Sequence, residues 1–186
     1  MRKFIAFLII LVTMISITAC ASIQTSNQNG NTKNDDQSND IQYGIYEGDK
    51  AYDFTLTDQN GESIKLSDFN GQKVFLNFWA SWCQYCEIEM EDLVKLKEEH
   101  KDVKFIMVNL TQFEKISKEE IKEYLDKYSK DFTLLYDEIA SVAKLYNISS
   151  IPTSYIIDED GVIQKYIVGP IINDSLKREV KELLSN

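Results

Sequence analysis

Two cysteines separated by two residues, Cys83 and Cys86, have the spacing of a redox-active pair. An apolar run that begins at Val74 precedes them and predicts a buried strand, and the pattern after them predicts a helix that ends near Glu99. Cys83 therefore stands at the start of the predicted helix, where unpaired backbone N–H groups and the helix dipole favour an anion. A thiolate is such an anion, so this cysteine should be more reactive than a free one. Cys86, one turn further on, can close a disulfide with it.

The predicted helix has an apolar face and a charged face. Its apolar residues are Ile88, Leu93, Val94 and Leu96. Glutamate and lysine side chains occupy the other face, and His100 follows at what we expect to be the exposed end of the helix. One C-x-x-C pair and a single histidine do not supply the four ligands of a structural zinc site, so no metal centre is predicted.

Residues 1–19 have the pattern of a secretory signal peptide. Arg2 and Lys3 precede a weakly polar to apolar run, which is short for a bilayer-spanning helix of about 20 residues. The run ends in Ile17-Thr18-Ala19-Cys20, which resembles a bacterial lipobox, so Cys20 is the predicted lipid-modified first residue of the mature chain. The alternative is an ordinary signal peptide, or an uncleaved anchor, that happens to carry a cysteine.

Residues 20–42 are predicted to be a lipid-modified cysteine followed by a disordered linker, because residues 22–40 contain one strongly apolar residue, Ile23, which cannot offset the entropy of ordering. Loss of Arg2 and Lys3 with the signal peptide would take the formal net charge from −10 to −12. Such an acidic chain is unsuited to bind nucleic acid or an anionic lipid surface through its charge. The lipid alone is therefore the expected link to the membrane.

Residues 43–186 predict one α/β domain. The apolar strand before the cysteines and a second apolar strand over 103–109, joined by the C-x-x-C helix, indicate a right-handed βαβ unit with parallel pairing. The predicted elements in order are a hairpin over 54–66, the central strand, the C-x-x-C helix, a strand over 103–109, a helix over 117–128, a strand over 132–136, a helix over 138–146, a hairpin over 153–168 and a closing helix from 173. The helix over 138–146 is expected to bury Ile139, Val142 and Leu145.

The strand, the C-x-x-C helix and the later Ile151-Pro152-Thr153 before a hairpin resemble the thioredoxin fold, a mixed central sheet flanked by helices. The N-terminal hairpin and a helix–strand insert over 111–136 resemble its TlpA/ResA-like, membrane-anchored branch. The resemblance covers the whole of 43–186. It implies a bacterial thiol-disulfide oxidoreductase on the extracytoplasmic face of the membrane, with no cofactor besides the disulfide of Cys83 and Cys86.

Partners follow from the same resemblance. Such proteins exchange with protein disulfides and thiols, and they receive electrons from a membrane thiol donor of the CcdA/DsbD type. Their tasks include cytochrome c maturation, work on envelope proteins and support of methionine sulfoxide reductases.

The resemblance also implies roles for residues around the pair. Pro152 is expected to be cis beside the disulfide, with Ile151 offering its backbone to the substrate; a trans proline at a strand entrance is the alternative. Glu89 matches a carboxylate that tunes cysteine acidity and transfers protons, in place of the aspartate that cytoplasmic thioredoxins carry where this chain has Asn77. The alternative is a solvated glutamate in an acidic run.

The surface that meets the partner is expected to include aromatic side chains. Its predicted members are Trp82, Gln84 and Tyr85, together with Ile151 and Pro152. The family usually has proline before the second cysteine, where this chain has Tyr85. Trp79 is expected either to shield the pair or to pack in the core.

The charges near Cys83 favour a reductase over a disulfide-forming oxidase. No lysine, arginine or histidine lies within several residues of Cys83, and acidic neighbours oppose a strongly lowered pKa of its thiol. Two further alternatives remain open. A peroxiredoxin-like peroxidase would share the fold, but the Pro/Thr-bearing loop of that class is absent before Cys83. A non-catalytic thiol chaperone would use the proline groove without the cysteines.

Overall fold

The computed structural model describes residues 42–185, so the predictions of a signal peptide, of lipid at Cys20 and of most of the linker lie outside the described residues. The strands are β1 Tyr43–Gly44, β2 Lys50–Ala51, β3 Thr55–Asp58, β4 Ser63–Lys65, β5 Val74–Trp79, β6 Lys104–Asn109, β7 Thr133–Tyr136, β8 Thr153–Ile157 and β9 Ile163–Val168. The helices are α1 Gln84–Glu99, α2 Lys118–Asp126, α3 Ser141–Leu145 and α4 Asp174–Ser185. None of these helices is long and apolar enough to cross a membrane.

Seven strands form one mixed sheet in the order β4-β3-β7-β6-β5-β8-β9. The central strand β5 pairs in parallel with β6 and antiparallel with β8. The hairpins β3–β4 and β8–β9 are antiparallel, as predicted. Strand β7 of the insert lies between β6 and β3, which places the N-terminal hairpin at one edge of the sheet. The predicted α/β fold with these two additions is confirmed.

The short strands β1 and β2 pair in parallel with each other, outside the main sheet. They lie against the turn between β8 and β9, where the N–H of Ala51 donates to the carbonyl of Gly161 at 2.9 Å. Gly48 makes a matching bond to the carbonyl of Ile163, also at 2.9 Å. The described chain therefore begins beside this turn.

Side chains of β5 alternate between two apolar layers, as they must in an extended strand. Phe75 and Trp79 pack in one layer with residues of α1, α2 and α4. Leu76 and Phe78 pack in the other layer, with α3 and the N-terminal hairpin. All six residues of β5 are buried, as the apolar run predicted.

Helix α1 buries Leu93 and Leu96, as predicted, and Val94 in part, but it does not bury Ile88. Its buried residues are Cys86, Glu89, Met90, Leu93 and Leu96. Ile88 is 48% exposed, because a helix that turns Leu93 and Leu96 towards the sheet turns residue 88 away from it. His100 is also buried, contrary to expectation. Its carbonyl accepts from the N–H of Val103, so the chain folds back over the end of the helix.

Helix α3 begins at Ser141, three residues later than predicted. The carboxylate of Asp137 accepts from the backbone N–H groups of Ser141 and Ala143, both at 2.8 Å, and so satisfies donors at the start of the helix. Ala140, just before the helix, has φ 52°, in the left-handed region. Ile139 falls in the resulting turn and is 69% exposed, and Leu145 is 40% exposed, so neither is buried as expected, whereas Val142 is.

Three connections meet at one end of the sheet. Phe78 of β5 is paired with Thr153, so the end of β5 lies beside the start of β8. Trp79 is paired with Asn109, so the parallel strand β6 ends at the same place. The connections over 80–83, 110–114 and 148–152 are therefore neighbours.

Candidate active site

Cys83 and Cys86 form a disulfide at the start of α1. Cys83 immediately precedes the helix, and its sulfur accepts a hydrogen bond from the backbone N–H of Cys86 at 3.1 Å. Cys83 is 7% exposed and Cys86 only 1%. An approaching sulfur atom can therefore reach Cys83 more readily than Cys86. The helix start and its N–H donors would stabilise a thiolate on Cys83.

The peptide bond between Ile151 and Pro152 is cis, as the resemblance implied. Pro152 is buried, and its carbonyl accepts from the N–H of Gly169 at 2.8 Å, which ties the bond to the end of β9. Ile151 is half-buried. This connection is one of the three that meet beside the disulfide.

An apolar groove of about 440 Å³ lies beside the disulfide loop. Its lining residues are Trp82, Leu110, Phe113, Ile148, Ser149, Ser150 and Ile151. Trp82 and Phe113 are each more than half exposed, so two aromatic side chains stand at the surface there. Of the predicted contact residues, Trp82 and Ile151 line the groove. Gln84 and Tyr85 are exposed on the first turn of α1 but lie outside its lining.

Trp79 belongs to the core and not to the contact surface. Its side chain is fully buried, and its ring stacks on that of Tyr124 with the centroids 5.8 Å apart. Of the two alternatives for this tryptophan, core packing is correct.

Glu89 lies one turn beyond Cys86 on the buried face of α1. Its Oε1 accepts from Nδ2 of Asn77 at 2.9 Å, and its Oε2 accepts from the backbone N–H of Ile171, also at 2.9 Å. Nδ2 of Asn77 donates to Oγ of Ser154 as well, at 2.9 Å. We call these residues the Glu89 cluster. A solvated glutamate in an acidic run, the alternative for Glu89, is wrong.

Burial raises the pKa of Glu89 from 4.5 to about 7, because removal from water disfavours the ionised carboxylate. The hydrogen bonds from Ile171 and Asn77 favour the ionised form and oppose part of this rise. A carboxyl group that titrates near neutral pH can both accept and release a proton under ordinary conditions. Transfer of a proton between Glu89 and the cysteines stays a prediction.

A second carboxylate, Glu114, lies on the other side of the disulfide loop. Its Oε1 accepts from the N–H of Ser81 and from Nδ2 of Asn109, both at 2.7 Å, and its Oε2 accepts from Oγ of Ser81 at 2.5 Å. Beside it, the indole N–H of Trp82 donates to the carbonyl of Phe113 at 3.1 Å. We call Glu114, Ser81 and Asn109 the Glu114 cluster.

Sequence reasoning missed the Glu114 cluster. Glu114 follows the predicted strand over 103–109, and polar residues after the carboxyl ends of parallel strands commonly contribute to sites. The position of Glu114 shortly after this strand was the one sequence signal that could have indicated its place in the site. Within residues 42–185, no group of three or more His, Cys, Asp or Glu side chains is arranged to hold a metal ion.

Comparison with known proteins extends over the domain that carries these features. The model of the AhpC/TSA family matches residues 47–166. Thioredoxin-like protein YneN of Bacillus subtilis (strain 168) is 41% identical over 138 residues, which are 74% of this chain and 80% of that protein. Thiol-disulfide oxidoreductase ResA of Geobacillus kaustophilus (strain HTA426) is 31% identical over 138 residues, 73% of this chain and 77% of ResA.

A solved structure is similar over the same domain. The crystal structure of StoA from Bacillus subtilis superposes with a TM-score of 0.58 at 29% sequence identity. The match covers 73% of this chain and 98% of that structure.

Proposed function

Since this chain belongs to the AhpC/TSA family and is a thiol-disulfide oxidoreductase of the ResA type, we propose that it reduces disulfide bonds of proteins outside the cytoplasm. The observation that carries the proposal is the Cys83–Cys86 pair, of which Cys83 is the more exposed member and lies next to an apolar groove. In such a pair the exposed cysteine forms the bond to the partner sulfur, and the buried cysteine reacts only in the second step. Protein thiols and disulfides are the corresponding substrates.

The reaction has two exchange steps. The Cys83 thiolate attacks one sulfur of the substrate disulfide, so a mixed disulfide forms and one substrate thiolate leaves. The Cys86 thiolate then attacks the sulfur of Cys83, which releases the second substrate thiolate and closes the Cys83–Cys86 disulfide. Two electrons pass from the cysteine pair to the substrate, whose two sulfurs end as thiols after taking up two protons.

Glu89 is the proposed acceptor of the Cys86 proton in the second step. Its position one turn along the same buried face and its pKa of about 7 support this role. Asn77 and the N–H of Ile171 stabilise the ionised form that must accept the proton. In the return reaction the same carboxyl group would release a proton.

The charges around the pair support reduction over oxidation. Strong disulfide-forming oxidants owe their potential to a stabilised cysteine thiolate. The charged side chains that follow Cys83 most closely in the chain are acidic, Glu87, Glu89 and Glu91. They oppose a buildup of negative charge on the thiol and so favour a more reducing couple.

The proposed location is the outer face of the bacterial cytoplasmic membrane, with lipid on Cys20 as the anchor and a CcdA/DsbD-type thiol protein as the electron donor. The lipobox-like ending of residues 1–20 and the similarity to ResA support it. Metabolic labelling with a radioactive fatty acid would test the anchor. The parent should incorporate label, and Cys20→Ala should not.

The reduction potential of the Cys83–Cys86 couple tests the direction of the reaction. We would equilibrate the protein with dithiothreitol or glutathione buffers of known potential and quantify the free thiols. A value near or below about −270 mV, as in thioredoxin, is expected. A value near −120 mV, typical of a strong oxidant, would reverse the direction while leaving the exchange chemistry intact.

Capture of the intermediate tests the mechanism. In Cys86→Ser the second step cannot occur, so mixed disulfides between Cys83 and its partners should accumulate and should disappear on treatment with dithiothreitol. Cys83→Ser is the matched control and should capture little, because Cys86 is 1% exposed. Full function in the Cys83→Ser variant would instead favour a non-catalytic chaperone.

A further inference from the structure

One wall of the groove beside Cys83 is built from two separate segments of the chain, and residues 148–151 line the rest. Trp82 comes from the disulfide loop, whereas Leu110 and Phe113 come from the connection between β6 and α2. Trp82 and Phe113 are 56% and 52% exposed, so packing alone does not fix their positions. A further interaction is needed to hold these two segments in a fixed relative position.

Glu114 provides that link. Its carboxylate binds both the N–H and the hydroxyl of Ser81, the residue next to Trp82, and it lies directly after Phe113 in the chain. The bond from the Trp82 indole to the carbonyl of Phe113 adds a third connection between the same segments. Hydrogen bonds to a charged acceptor are about twice as strong as neutral ones, so one side chain contributes most of the link.

Glu114 is itself held from the sheet. Asn109, the last residue of β6, is fully buried and donates from Nδ2 to the carboxylate. The amide oxygen of Asn109, Oδ1, accepts from Oγ1 of Thr111 at 3.0 Å, and this bond turns Nδ2 towards Glu114. The Glu114 carboxylate therefore links Asn109 at the end of β6 to Ser81 in the disulfide loop.

We propose that Glu114 is a positioning residue that makes the protein prefer polypeptide disulfides over small disulfides. It does so by holding Trp82 and Phe113 as one rigid wall of the groove. A polypeptide on either side of a disulfide must lie along this wall while Cys83 attacks, and a preformed wall lowers the ordering cost of that contact. A small disulfide reaches Cys83 without occupying the groove. The inference requires thiol–disulfide exchange at Cys83, but not the direction of net electron flow.

The test is the ratio of two rate constants. Pre-reduced full-length protein is mixed with insulin, as a polypeptide disulfide, and separately with glutathione disulfide, and second-order rate constants are measured by rapid mixing. Glu114→Ala should lower the insulin rate constant roughly tenfold more than the glutathione rate constant, which corresponds to about 1.4 kcal/mol. Glu114→Gln should recover most of the ratio, because its amide oxygen still accepts from the N–H of Ser81.

Two control variants separate positioning from other effects. Glu120→Ala removes a different structural carboxylate from the same insert, the one that accepts from the N–H of Ser117 at 2.8 Å. Glu123→Ala makes the same change of charge at an exposed position of α2. Neither should change the ratio. The unfolding free energy of every variant is measured alongside, so that loss of folded protein is accounted for.

Equal loss of both rate constants in Glu114→Ala would overturn the proposal, since the carboxylate would then serve the reactive loop as a whole. An unchanged ratio would overturn it as well. The measurement is repeated in reverse, with oxidised protein and either reduced insulin A chain or glutathione. The same preference must appear in both directions, whichever is thermodynamically favoured. A failure of the reductase proposal would be visible in the reduction potential and would leave this ratio unaffected.

Discussion

Two carboxylates lie on opposite sides of one disulfide loop, and their surroundings differ. Glu89 is fully buried and receives one side-chain and one backbone hydrogen bond, from Asn77 and Ile171. Glu114 is half-buried and receives three hydrogen bonds, two of them from Ser81. Both groups join distant segments of the chain.

The two carboxyl groups differ in how much contact with water they keep. Around Glu89, loss of water outweighs the donors, and the pKa rises to about 7. That environment suits a group whose charge changes during the reaction. Glu114 has more donors and keeps contact with water, an environment that suits a fixed structural acceptor. The same residue type therefore supplies chemistry on one side of the pair and geometry on the other.

The largest expected effect that tests this contrast is on the pH dependence of stability. The pKa of Glu89 is about 7 in the folded protein and about 4.5 when unfolded, so between these values the folded state binds more protons. Protonated Glu89 therefore stabilises the folded state fully below pH 4.5. As the pH rises to about 7 this stabilisation is lost, and the unfolding free energy falls by roughly 3 kcal/mol. Glu89→Gln should remove this loss, so its unfolding free energy relative to the parent should rise across that range.

Urea unfolding at a series of pH values measures this difference. Glu91→Gln is the matched control, because it makes the same change at an exposed position of α1. The difference between this control and the parent should be flat across the range. A flat difference for Glu89→Gln as well would show that burial does not perturb the carboxyl group.

The next effect concerns the donor to Glu89. Asn77→Leu keeps a similar volume but removes the Nδ2 hydrogen bond, so ionised Glu89 loses a partner and its pKa should rise further. At pH 8 we expect a loss of about 1–3 kcal/mol of unfolding free energy, and a smaller loss at pH 5. Ser154→Ala, which leaves the bond between Asn77 and Glu89 in place, should shift the pH profile less. A shift of equal size would assign the effect to packing.

A smaller effect is expected in the Glu114 cluster. Ser81→Ala removes the hydroxyl donor to Oε2 but keeps the backbone N–H donor to Oε1. The unfolding free energy at pH 7 should fall by about 1 kcal/mol. Ser175→Ala, at an exposed position of α4, is the control and should change it by less than about 0.5 kcal/mol. A loss no larger than in the control would mean that the hydroxyl bond is not formed in solution.

The smallest expected effect is the coupling between the two clusters. The two clusters share no hydrogen-bond partner. Ser81 of the Glu114 cluster precedes Cys83, whereas Glu89 lies six residues after Cys83, about 9 Å further along α1. The changes in unfolding free energy of Glu89→Gln and Glu114→Gln should therefore add to within about 0.5 kcal/mol in the double variant. A larger coupling energy would show that the disulfide loop transmits strain between the two sides.

The fold was largely predictable from the sequence because its signals are local and agree with one another. The apolar run of β5, the turn at Asp58–Gly61 and the capping pair of Ser117 and Glu120 each specify their element without distant contacts. The helix over 138–146 was predicted to start too early, since the side chain of Asp137 binds N–H groups four and six residues later. Residue propensities do not reveal that competition.

The site was predictable only in part. The cysteine pair follows from a short motif, and the cis proline follows from the resemblance to the thioredoxin fold. The burial of Glu89 does not follow from the acidic run around it. Spacing counted back from Leu93 and Leu96 would have placed Glu89 and Met90 on the buried face. The contacts of Glu114 depend on where separate connections meet at the end of the sheet, which a single sequence does not encode locally.

The packing of the first described residues places the start of the described chain far from the reactive sulfur. Strands β1 and β2 lie against the turn at Gly161, and the adjoining Ile157 pairs with Val74, the first residue of β5. Cys83 follows the other end of β5, about 20 Å away along a strand of six residues. The described chain therefore enters the domain near the end opposite its reactive sulfur, away from the groove in which a partner would meet Cys83.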